Sequence, residues 1–277
     1  MQIPGMEEII RLALEEDVGG GDVTTVSTVP EANRSRGKFL AKEPLTVCGL
    51  PALKRVFELI DERIAVTSLV SDGDEVKKGD LIATIEGPAR GILTGERTAL
   101  NLLQRLSGVA TKTREAVRQV EGTKAVIVDT RKTTPGMRNL EKYAVRMGGG
   151  TNHRTGLYDG VLIKDNHIRA AGGITQAIVN ARSQAHHLLK IEVEVENFEQ
   201  LEEALQAKAD IIMLDNMSLA DMTEAVRRVN GQALTEASGN MGERNLGEVA
   251  KTGVDIISIG ALTHSARAMD ISLRFEW

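Results

Sequence analysis

The stretch IEVEVENFEQLEEALQAKADIIMLDNMS, residues 191–218, decides the fold. It opens with an apolar run, IEVEV, continues with a helical pattern of apolar residues, and closes with a second apolar run, IIMLD. Two short strands joined by one helix form a unit in which the strands lie parallel. The stretch therefore predicts an α/β architecture built on a parallel sheet.

The same rhythm recurs on both sides of this stretch. Apolar runs begin near residues 191, 211, 233 and 255, at intervals of roughly 21 residues, and each is followed by a helical pattern. Earlier runs of the same kind are AVIVD and GVLIK. So many consecutive strand–helix units predict an α/β barrel.

Polar residues fall at or near the ends of these predicted strands. They are Arg131 and Lys132 after AVIVD, Lys164 in GVLIK, Glu194 in IEVEVE, Asp215 in IIMLD, Glu236 and Ser238 in LTEAS, and Gly260 in DIISIG. Barrels of this type place their active sites at the carboxyl ends of the strands. The pattern therefore predicts an active site there.

The carboxylates at these strand ends need separate interpretations. In a strand buried on both faces, the glutamates of IEVEVE face the barrel interior, where they require cations or hydrogen-bond donors. We interpret Glu194 as functional, whereas a structural role suits Glu192 equally well. Asp215 resembles a helix cap, but Ser218 is the better cap for the following helix, which leaves Asp215 for the site.

A second informative stretch is DTRKTTPGMRNLEKYAVRMGGGTNHR, residues 129–154. It is rich in cations, although the chain has 34 Lys+Arg against 39 Asp+Glu and a net charge of -5. Thr134 and Pro135 predict the start of a helix over residues 135–147, and we interpret two of its basic residues as solvated. Arg131 and Lys132 precede the positive helix end, and a glycine-rich loop carries His153 and Arg154. These features predict a pocket for a small anion. The two basic residues that we interpret as solvated on this helix are Lys142 and Arg146.

Two short loops, EASGN and SIGAL, follow late strands, where α/β barrels frequently bind phosphate through backbone N–H groups. Acidic residues near them could hold a divalent cation. The sequence has no Walker loop, no GxGxxG after a strand and no Cys/His cluster, which disfavours a P-loop NTPase, a dinucleotide enzyme and a zinc site.

The first hundred residues have a different pattern. GMEEIIRLALEEDVGGGD predicts an amphipathic helix ended by glycine, and strands are expected near residues 37–41 and 64–70. SDGDEVKKGDLIATIEG predicts a hairpin like that of biotinyl carriers, although Lys77 and Lys78 lack the residues that flank a modified lysine. A long helix is expected over about residues 94–120. Its apolar stripe is Ala99, Leu102, Leu103, Leu106 and Ala110.

Composition limits the remaining possibilities. A length of 277 residues suggests one large or two moderate domains, and the single cysteine, Cys48, excludes an intramolecular disulfide and favours a reducing compartment. No signal-peptide profile and no membrane-spanning run is present, so we expect a cytoplasmic protein without membrane partners. The acidic balance argues against nucleic-acid binding.

These motifs, in this order, resemble those of the quinolinate phosphoribosyltransferase family. The matching stretches, from residue 16 to about 265, are EDVGGGDVTT, GERTALNLLQRLSGVAT, DTRKTTPGMRNLEKYAV, GGGTNHRTGLYDGVLIKDNH, EVEVE, MLDNMS, EASGN and GVDIISIGALTHS. The resemblance implies an N-terminal α/β sandwich domain over residues 1–108, with residues 266–277 returning to it. It also implies an incomplete, seven-stranded, TIM-like α/β barrel over residues 109–265.

The resemblance further implies an activity: transfer of a phosphoribosyl group from phosphoribosyl pyrophosphate to quinolinate with decarboxylation, in NAD biosynthesis. Magnesium is the expected cofactor, and the expected assembly is a homodimer with shared active sites, or a larger homo-oligomer. Quinolinate is a dicarboxylate, and arginine binds carboxylates in a bidentate manner, which explains the concentration of cations.

Site residues follow from the same resemblance, motif by motif. The quinolinate residues are Thr130, Arg131, Lys132, His153, Arg154 and Lys164, with Arg97 supplied across the dimer interface. The catalytic residues are Lys132, Lys164, Glu194 and Asp215, of which Glu194 and Asp215 contact magnesium or the ribose hydroxyls. The phosphoribosyl residues are Glu194, Asp215, Ser238, Gly239, Asn240, Gly260, Ala261 and Leu262.

Two alternatives remain open at this point. The first is a paralogous phosphoribosyltransferase of the same fold that acts on a different pyridine or base, against which the arginine set argues. The second is a non-catalytic carrier or binding module, suggested by the biotinyl-like hairpin, which would need a modified lysine.

Overall fold

The structure, a computed structural model, describes residues 3–276. Its helices are α1 (Met6–Val18), α2 (Val23–Thr28), α3 (Leu50–Ile60), α4 (Ala89–Gln119), α5 (Arg138–Met147), α6 (Asp165–Ala171), α7 (Ile174–Gln184), α8 (Phe198–Gln206), α9 (Leu219–Val229), α10 (Leu246–Lys251) and α11 (Ala261–His264). Its strands are β1 (Arg34–Ala41), β2 (Leu45–Thr46), β3 (Ala65–Ser68), β4 (Glu75–Val76), β5 (Leu81–Pro88), β6 (Val126–Val128), β7 (Val161–Ile163), β8 (Ile191–Val195), β9 (Ile211–Asp215), β10 (Leu234–Ser238), β11 (Ile256–Ser258) and β12 (Ile271–Glu276).

The chain divides into two compact units. Among the described residues, the first comprises residues 3–114, Thr134–Gly149 and residues 265–276, and the second comprises Glu115–Thr133 and Gly150–His264. Residues 1, 2 and 277, which the predicted first domain includes, lie outside the described residues. The segment Thr134–Gly149, which was expected in the barrel, groups with the first unit.

A four-stranded antiparallel sheet, in the order β12-β1-β5-β3, organises the first unit. Strands β1 and β3 confirm the two strands expected near residues 37–41 and 64–70. The core beneath the sheet contains fully buried large side chains, and burying each is worth about 1.5–3 kcal/mol. They include Phe39, Leu53, Phe57, Ile82, Ile92 and Leu103.

The two predicted helices of this unit are present. Helix α1 ends at Gly19, whose φ of 48° lies in the left-handed region that favours glycine. Helix α4 begins at Ala89, earlier than the predicted start near residue 94, and its whole predicted apolar stripe is buried. Leu12, one of the apolar residues of this amphipathic helix, is exposed.

The predicted hairpin around the two lysines is wrong. Strand β4 pairs with β2, whereas β5 pairs with β1 and β3, so the two strands belong to different sheets. The turn between them is fixed by Asp80, whose carboxylate accepts a hydrogen bond from the Lys77 N–H at 2.8 Å, and by Gly79 with a φ of 96°. The resemblance to a biotinyl hairpin therefore stops at the turn residues.

The start of α5 also differs from the prediction. The N–H of Met137 donates to the Thr134 carbonyl at 3.0 Å, and Gly136 has a φ of 81°. With Pro135 before the glycine, these residues form a type II turn, so the helix begins at Arg138 instead of Pro135. Lys142 was expected to be solvated and is only 2% exposed.

A parallel sheet in the order β6-β11-β10-β9-β8-β7 organises the second unit and confirms the incomplete barrel. The predicted number of seven strands is not reached, because the sheet has six strands among the described residues. In place of a further strand, Thr151 makes an isolated parallel bridge to Val128. The Thr151 N–H donates to the Ile127 carbonyl at 2.9 Å, and one bridge is too short to count as a strand.

The register of this sheet sets the active-site geometry. Met213 lies beside both Glu194 and Glu236, and Asp215 lies beside Ser238. Because side chains alternate along a strand, these residues share one face of the sheet, and the apolar residues between them are buried on the other. Those apolar residues are Val193, Val195, Ile212, Leu214 and Ala237.

Helix caps in the second unit leave the strand-end residues available. Ser218 caps α9, as predicted, because its hydroxyl accepts a hydrogen bond from the Asp221 N–H at 3.1 Å. Asp215 is therefore not needed as a cap.

None of the helices formed by residues 3–276 combines the length and apolar character that crossing a lipid bilayer requires.

Candidate active site

A cavity of about 160 Å³ lies at the carboxyl ends of the parallel strands. Its walls come from several strand ends of the second unit. They are Thr130, Arg131, Lys132, His153, Arg154, Leu162, Lys164, Met213, Glu236, Ser238 and Ser258. The structure thus brings seven of the predicted site residues around one cavity, and a barrel fold places its chemistry at this end.

Positive charge is concentrated in this cavity. Burial first, and the neighbouring charge of Arg131 second, lower the pKa of the Arg154 guanidinium. One of its Nη atoms donates to the Gly160 carbonyl at 3.2 Å, which fixes the side chain. Two mutually repelling guanidinium groups, with Lys132 and Lys164 on the same walls, favour binding of an anion.

A buried aspartate anchors the loop that carries His153 and Arg154. The carboxylate of Asp129 accepts hydrogen bonds from Asn152 Nδ2 at 2.6 Å and from the His153 N–H at 3.0 Å. The Arg154 N–H donates to His153 Nδ1 at 2.8 Å. A nitrogen that accepts a hydrogen bond carries no proton, so His153 is neutral here and is not one of the cations that the family resemblance implied.

Two buried glutamates lie behind this histidine. His153 Nε2 is 3.0 Å from Glu192 Oε2 and 3.6 Å from Glu236 Oε2. Burial, and then the charge of Glu192, raise the pKa of Glu236 to about 8. One ligand atom from each of the three residues lies within 4.8 Å of the others, but this trio does not suit a metal ion. With Nδ1 accepting, the ring proton is on Nε2, so that atom has no lone pair to offer.

The predicted acidic pair lies on adjacent strands, Glu194 on β8 and Asp215 at the end of β9. Lys164 Nζ is 2.7 Å from Glu194 Oε2, and Asn216 Nδ2 donates to Asp215 Oδ2 at 2.7 Å. Both carboxylates are partly exposed, on the same face of the sheet. Hard carboxylate oxygens of this kind suit magnesium, so these two residues fit the expected cofactor.

The two predicted phosphate loops lie next to each other. A Cβ added at Gly242 would be 2.7 Å from the Ala261 Cβ, and one at Gly260 would be 3.0 Å from the Lys132 side chain. Gly239 has a φ of 96°, and a Cβ there would be 2.2 Å from Asn216 Oδ1. Glycine is thus required at residue 239 both by backbone conformation and by space.

The structure places the other loop residues just outside the cavity lining. Asn240 has a φ of 50° and is exposed, whereas the Leu262 side chain is buried. The hydroxyl of Thr263 donates to the Lys132 carbonyl at 2.8 Å, which ties the second loop to the cation-bearing segment. Arg97 is exposed on α4 and belongs to the first unit.

The sequence alone does not assign a role to two glutamates at this site, Glu236 in the cavity wall and Glu192 behind His153. The available signal was the period of two along each strand, because Glu192 and Glu236 lie two residues before Glu194 and Ser238. Residues that add apolar or hydroxyl surface to the cavity are Leu162, Met213 and Ser258.

Comparison with known proteins gives consistent matches over nearly the whole chain. The model of the quinolinate phosphoribosyl transferase C-terminal domain matches residues 109–274, and that of the N-terminal domain matches residues 22–107. A Bacillus subtilis protein described as a probable nicotinate-nucleotide pyrophosphorylase (carboxylating) is 48% identical over 93% of this chain and 89% of its own.

Relatives from other organisms and a solved structure match the chain over a similar length. A mitochondrial quinolinate phosphoribosyltransferase (decarboxylating) of Nicotiana tabacum is 42% identical over 98% of this chain and 82% of its own. The solved nicotinate-nucleotide pyrophosphorylase from Francisella tularensis superimposes with a TM-score of 0.95 at 41% identity, covering 100% of this chain and 98% of that one.

Proposed function

Because the chain belongs to the quinolinate phosphoribosyl transferase family, we propose that its cavity transfers the phosphoribosyl group of phosphoribosyl pyrophosphate to quinolinate, with loss of CO2. The products are nicotinate mononucleotide and pyrophosphate, and the enzyme is a pentosyltransferase of NAD biosynthesis. The observation that carries this proposal is the convergence of two arginines and two lysines on one small cavity. The two carboxylates of quinolinate can each pair with an arginine of this set.

Quinolinate binds among the residues of the cation-rich segment. Arg131 and Arg154 hold its carboxylates, and Lys132 and Thr130 support them from the loop after β6. His153, being neutral, contributes by orienting Arg154 instead of by charge. Lys164 lies between the two substrates, since its Nζ contacts Glu194 on the neighbouring strand.

Phosphoribosyl pyrophosphate binds on the other side of Lys164. Glu194 and Asp215 contact the ribose hydroxyls, and the two adjacent loops hold the 5-phosphate. Those loop residues are Ser238, Gly239, Asn240, Gly260, Ala261 and Leu262. A magnesium ion held by Glu194 and Asp215 would neutralise charge on the pyrophosphate.

The residues act mainly by positioning and by electrostatics. The ring nitrogen of quinolinate attacks the anomeric carbon, and the bond to pyrophosphate breaks with its electron pair leaving on oxygen. Glu194 and Asp215 stabilise the positive charge that develops on the ribose. In the resulting pyridinium, the carbon–carboxylate bond breaks, CO2 departs, and its electron pair stays on the ring carbon until that carbon takes a proton.

Arg97 enters this scheme only through assembly. It is exposed in the first unit, and we assign it to the active site of a second copy of the chain in a homodimer, or in a larger homo-oligomer.

We place the enzyme in the cytoplasm, where its buried free thiol, Cys48, stays reduced.

The first experiment offers quinolinate and nicotinate in parallel, each with phosphoribosyl pyrophosphate and magnesium. We expect nicotinate mononucleotide and CO2 from quinolinate alone. Arg131→Ala and Lys164→Ala should each lower kcat/KM by about a hundredfold or more, because each removes a charged contact to bound substrate. The matched control is Arg227→Ala, an exposed arginine on α9, which should leave kcat/KM unchanged. Turnover of nicotinate, or of another pyridine only, would refute the substrate assignment and favour the paralogous activity.

A further inference from the structure

Lys164 has a central place in the proposed function, and its place in the fold is an unusual one for a lysine. It follows β7 and is the N-cap residue of α6, where the chain turns from strand to helix. Lysine is unfavourable at this position, because its side chain has no hydrogen-bond acceptor and its charge lies near the positive end of the helix. The first turn of α6 therefore needs a cap from another residue.

The helices that follow the next three strands are capped in the ordinary way. Asn197, Ser218 and Asn245 each accept a hydrogen bond from a backbone N–H in the first turn of their helix. These helices are α8, α9 and α10. At the corresponding position of α6, a lysine that serves the substrates excludes this kind of cap.

His167, the third residue of α6, makes the missing contact in the reverse direction. Its Nδ1 accepts a hydrogen bond from the backbone N–H of Lys164 at 2.9 Å, and the Ile168 N–H donates to the Lys164 carbonyl at 2.9 Å. Both backbone groups of Lys164 are thus bound, and the residue is held at a φ of -111° and a ψ of 171°. Glutamate or glutamine makes the same contact from this helical position in a capping box.

Packing does little to fix the position of α6. None of its seven residues, all of which the structure describes, is buried. The helix ends at Gly172, with a φ of 89°, and Gly173 follows with a φ of 143°. Because most helices are stabilised by a buried face, a helix without one depends more strongly on the hydrogen bonds at its ends. The contact between Lys164 and His167 is such a bond.

The side chain of Lys164 depends on this backbone position. Its Nζ is 2.7 Å from Glu194 Oε2, and 46% of the side chain is exposed, so packing restrains it weakly. Ile163 lies beside Val193 in the register of β7 and β8, and one step further along both strands brings Lys164 beside Glu194. That alignment requires the backbone to stay extended up to the N-cap, which is the conformation that His167 holds.

Resting on the proposed function, we propose that His167 is a positioning residue for phosphoribosyl transfer, which caps α6 and so keeps Lys164 Nζ between Glu194 and the substrates. Without the cap, the first turn of α6 frays and the backbone of Lys164 leaves the extended conformation. The ammonium group then spends less time at the cavity. The substrates keep their other contacts, so turnover weakens and does not disappear.

The first test examines the hydrogen bond without substrate. Hydrogen exchange at the backbone amide of Lys164 is followed by NMR on the full chain. The exchange rate should rise by about five- to tenfold in His167→Ala, because the acceptor is lost, and should stay near the wild-type rate in His167→Gln, whose side-chain oxygen accepts the same N–H. Equal exchange rates in the wild type and His167→Ala would overturn the proposal, whichever substrate the enzyme uses.

The second test asks whether His167 acts through Lys164. We expect kcat/KM for quinolinate to fall by about tenfold in His167→Ala and to stay within about twofold of the wild type in His167→Gln. In a chain that already carries Lys164→Ala, adding His167→Ala should change kcat/KM by less than about twofold, since the side chain to be positioned is absent. A purely structural role, or a direct contact between His167 and substrate, would give the full loss in both backgrounds.

The matched control is His187→Ala, at an exposed histidine in the loop between α7 and β8, which should leave the exchange rate and kcat/KM unchanged. A His167→Gln variant as impaired as His167→Ala, or a full further loss on top of Lys164→Ala, would show the proposal to be wrong. If the wild type did not use quinolinate while the Lys164 amide behaved as expected, the proposed substrate would fail and the cap would stand. The same comparison of variants would then be made with the pyridine that is turned over.

Discussion

Replacing Glu141 by glutamine tests how the first unit is held together. Glu141 is fully buried on α5 and accepts four hydrogen bonds. Two come from Arg105, from Nε at 3.2 Å and from Nη2 at 2.6 Å. The other two come from the backbone N–H of Thr134 at 3.0 Å and from its hydroxyl at 2.8 Å. The carboxylate therefore joins α4, α5 and the turn that precedes α5.

The expected loss in the free energy of unfolding follows from these contacts of Glu141. Breaking a buried ion pair from one side costs about 3–5 kcal/mol, because the remaining charge is left without compensation. Arg105 keeps 23% of its side chain exposed, so solvent recovers part of the loss. We expect Glu141→Gln to lower the free energy of unfolding by about 3 kcal/mol. With m-values of about 1–3 kcal/mol/M, the urea midpoint should fall by about 1–3 M.

The assay is urea unfolding followed by far-UV circular dichroism at constant pH. The control, Glu248→Gln, removes an exposed ion pair with Lys251 at 4.0 Å and should change stability by less than about 0.5 kcal/mol. The double variant Arg105→Met/Glu141→Leu should recover most of the loss, because apolar residues can replace a buried pair. A loss below about 1 kcal/mol in Glu141→Gln, or no recovery in the double variant, would refute the reasoning.

Two further predictions concern single residues. Gly239→Ala should lower Tm and raise KM for phosphoribosyl pyrophosphate, because residue 239 has a φ of 96° and an added Cβ would lie 2.2 Å from the Asn216 side chain. The control is Gly231→Ala, at a φ of 74° with open space around the added Cβ, which should lower the free energy of unfolding by only about 1 kcal/mol. Equal Tm values by calorimetry would contradict this. Burial raises the pKa of the Cys48 thiol well above its usual range, so a thiol reagent should label the protein only after denaturation. Rapid labelling of the native protein would show that the thiol is accessible.

Much of the barrel could be predicted because its signals are local. Each of the six parallel strands coincides with an apolar run in the sequence, and short apolar runs separated by helical patterns need no tertiary information to be recognised. The predictions that failed depend on contacts that are distant in sequence. Strands β4 and β5 adjoin in the chain but pair in different sheets, and Lys142 is buried although its helix face is basic.

The same distinction applies to the active site. Residues at strand ends could be predicted because barrel folds bring those ends together. The protonation state of His153 could not be predicted, since it depends on which atom donates to Nδ1 and on Glu192 and Glu236, which are 39 and 83 residues away in the chain (192 − 153 and 236 − 153). Nor does a single sequence give the register that places Glu194 and Glu236 on either side of Met213.

The net charge of the cavity depends on that register. Four cationic side chains line it, and Lys164 is already paired with Glu194. If Glu192 and Glu236 were both ionised, the remaining three cations would face two negative charges before any substrate bound. Burial and the nearby charge of Glu192 raise the pKa of Glu236 to about 8, so at neutral pH a single negative charge remains and the excess of two positive charges matches the two carboxylates of quinolinate. The barrel therefore tolerates Glu236 in an anion pocket because burial, and then the charge of Glu192, raise the pKa of its carboxyl group, and a substitution that exposed Glu236 to solvent would weaken substrate binding without removing any cation.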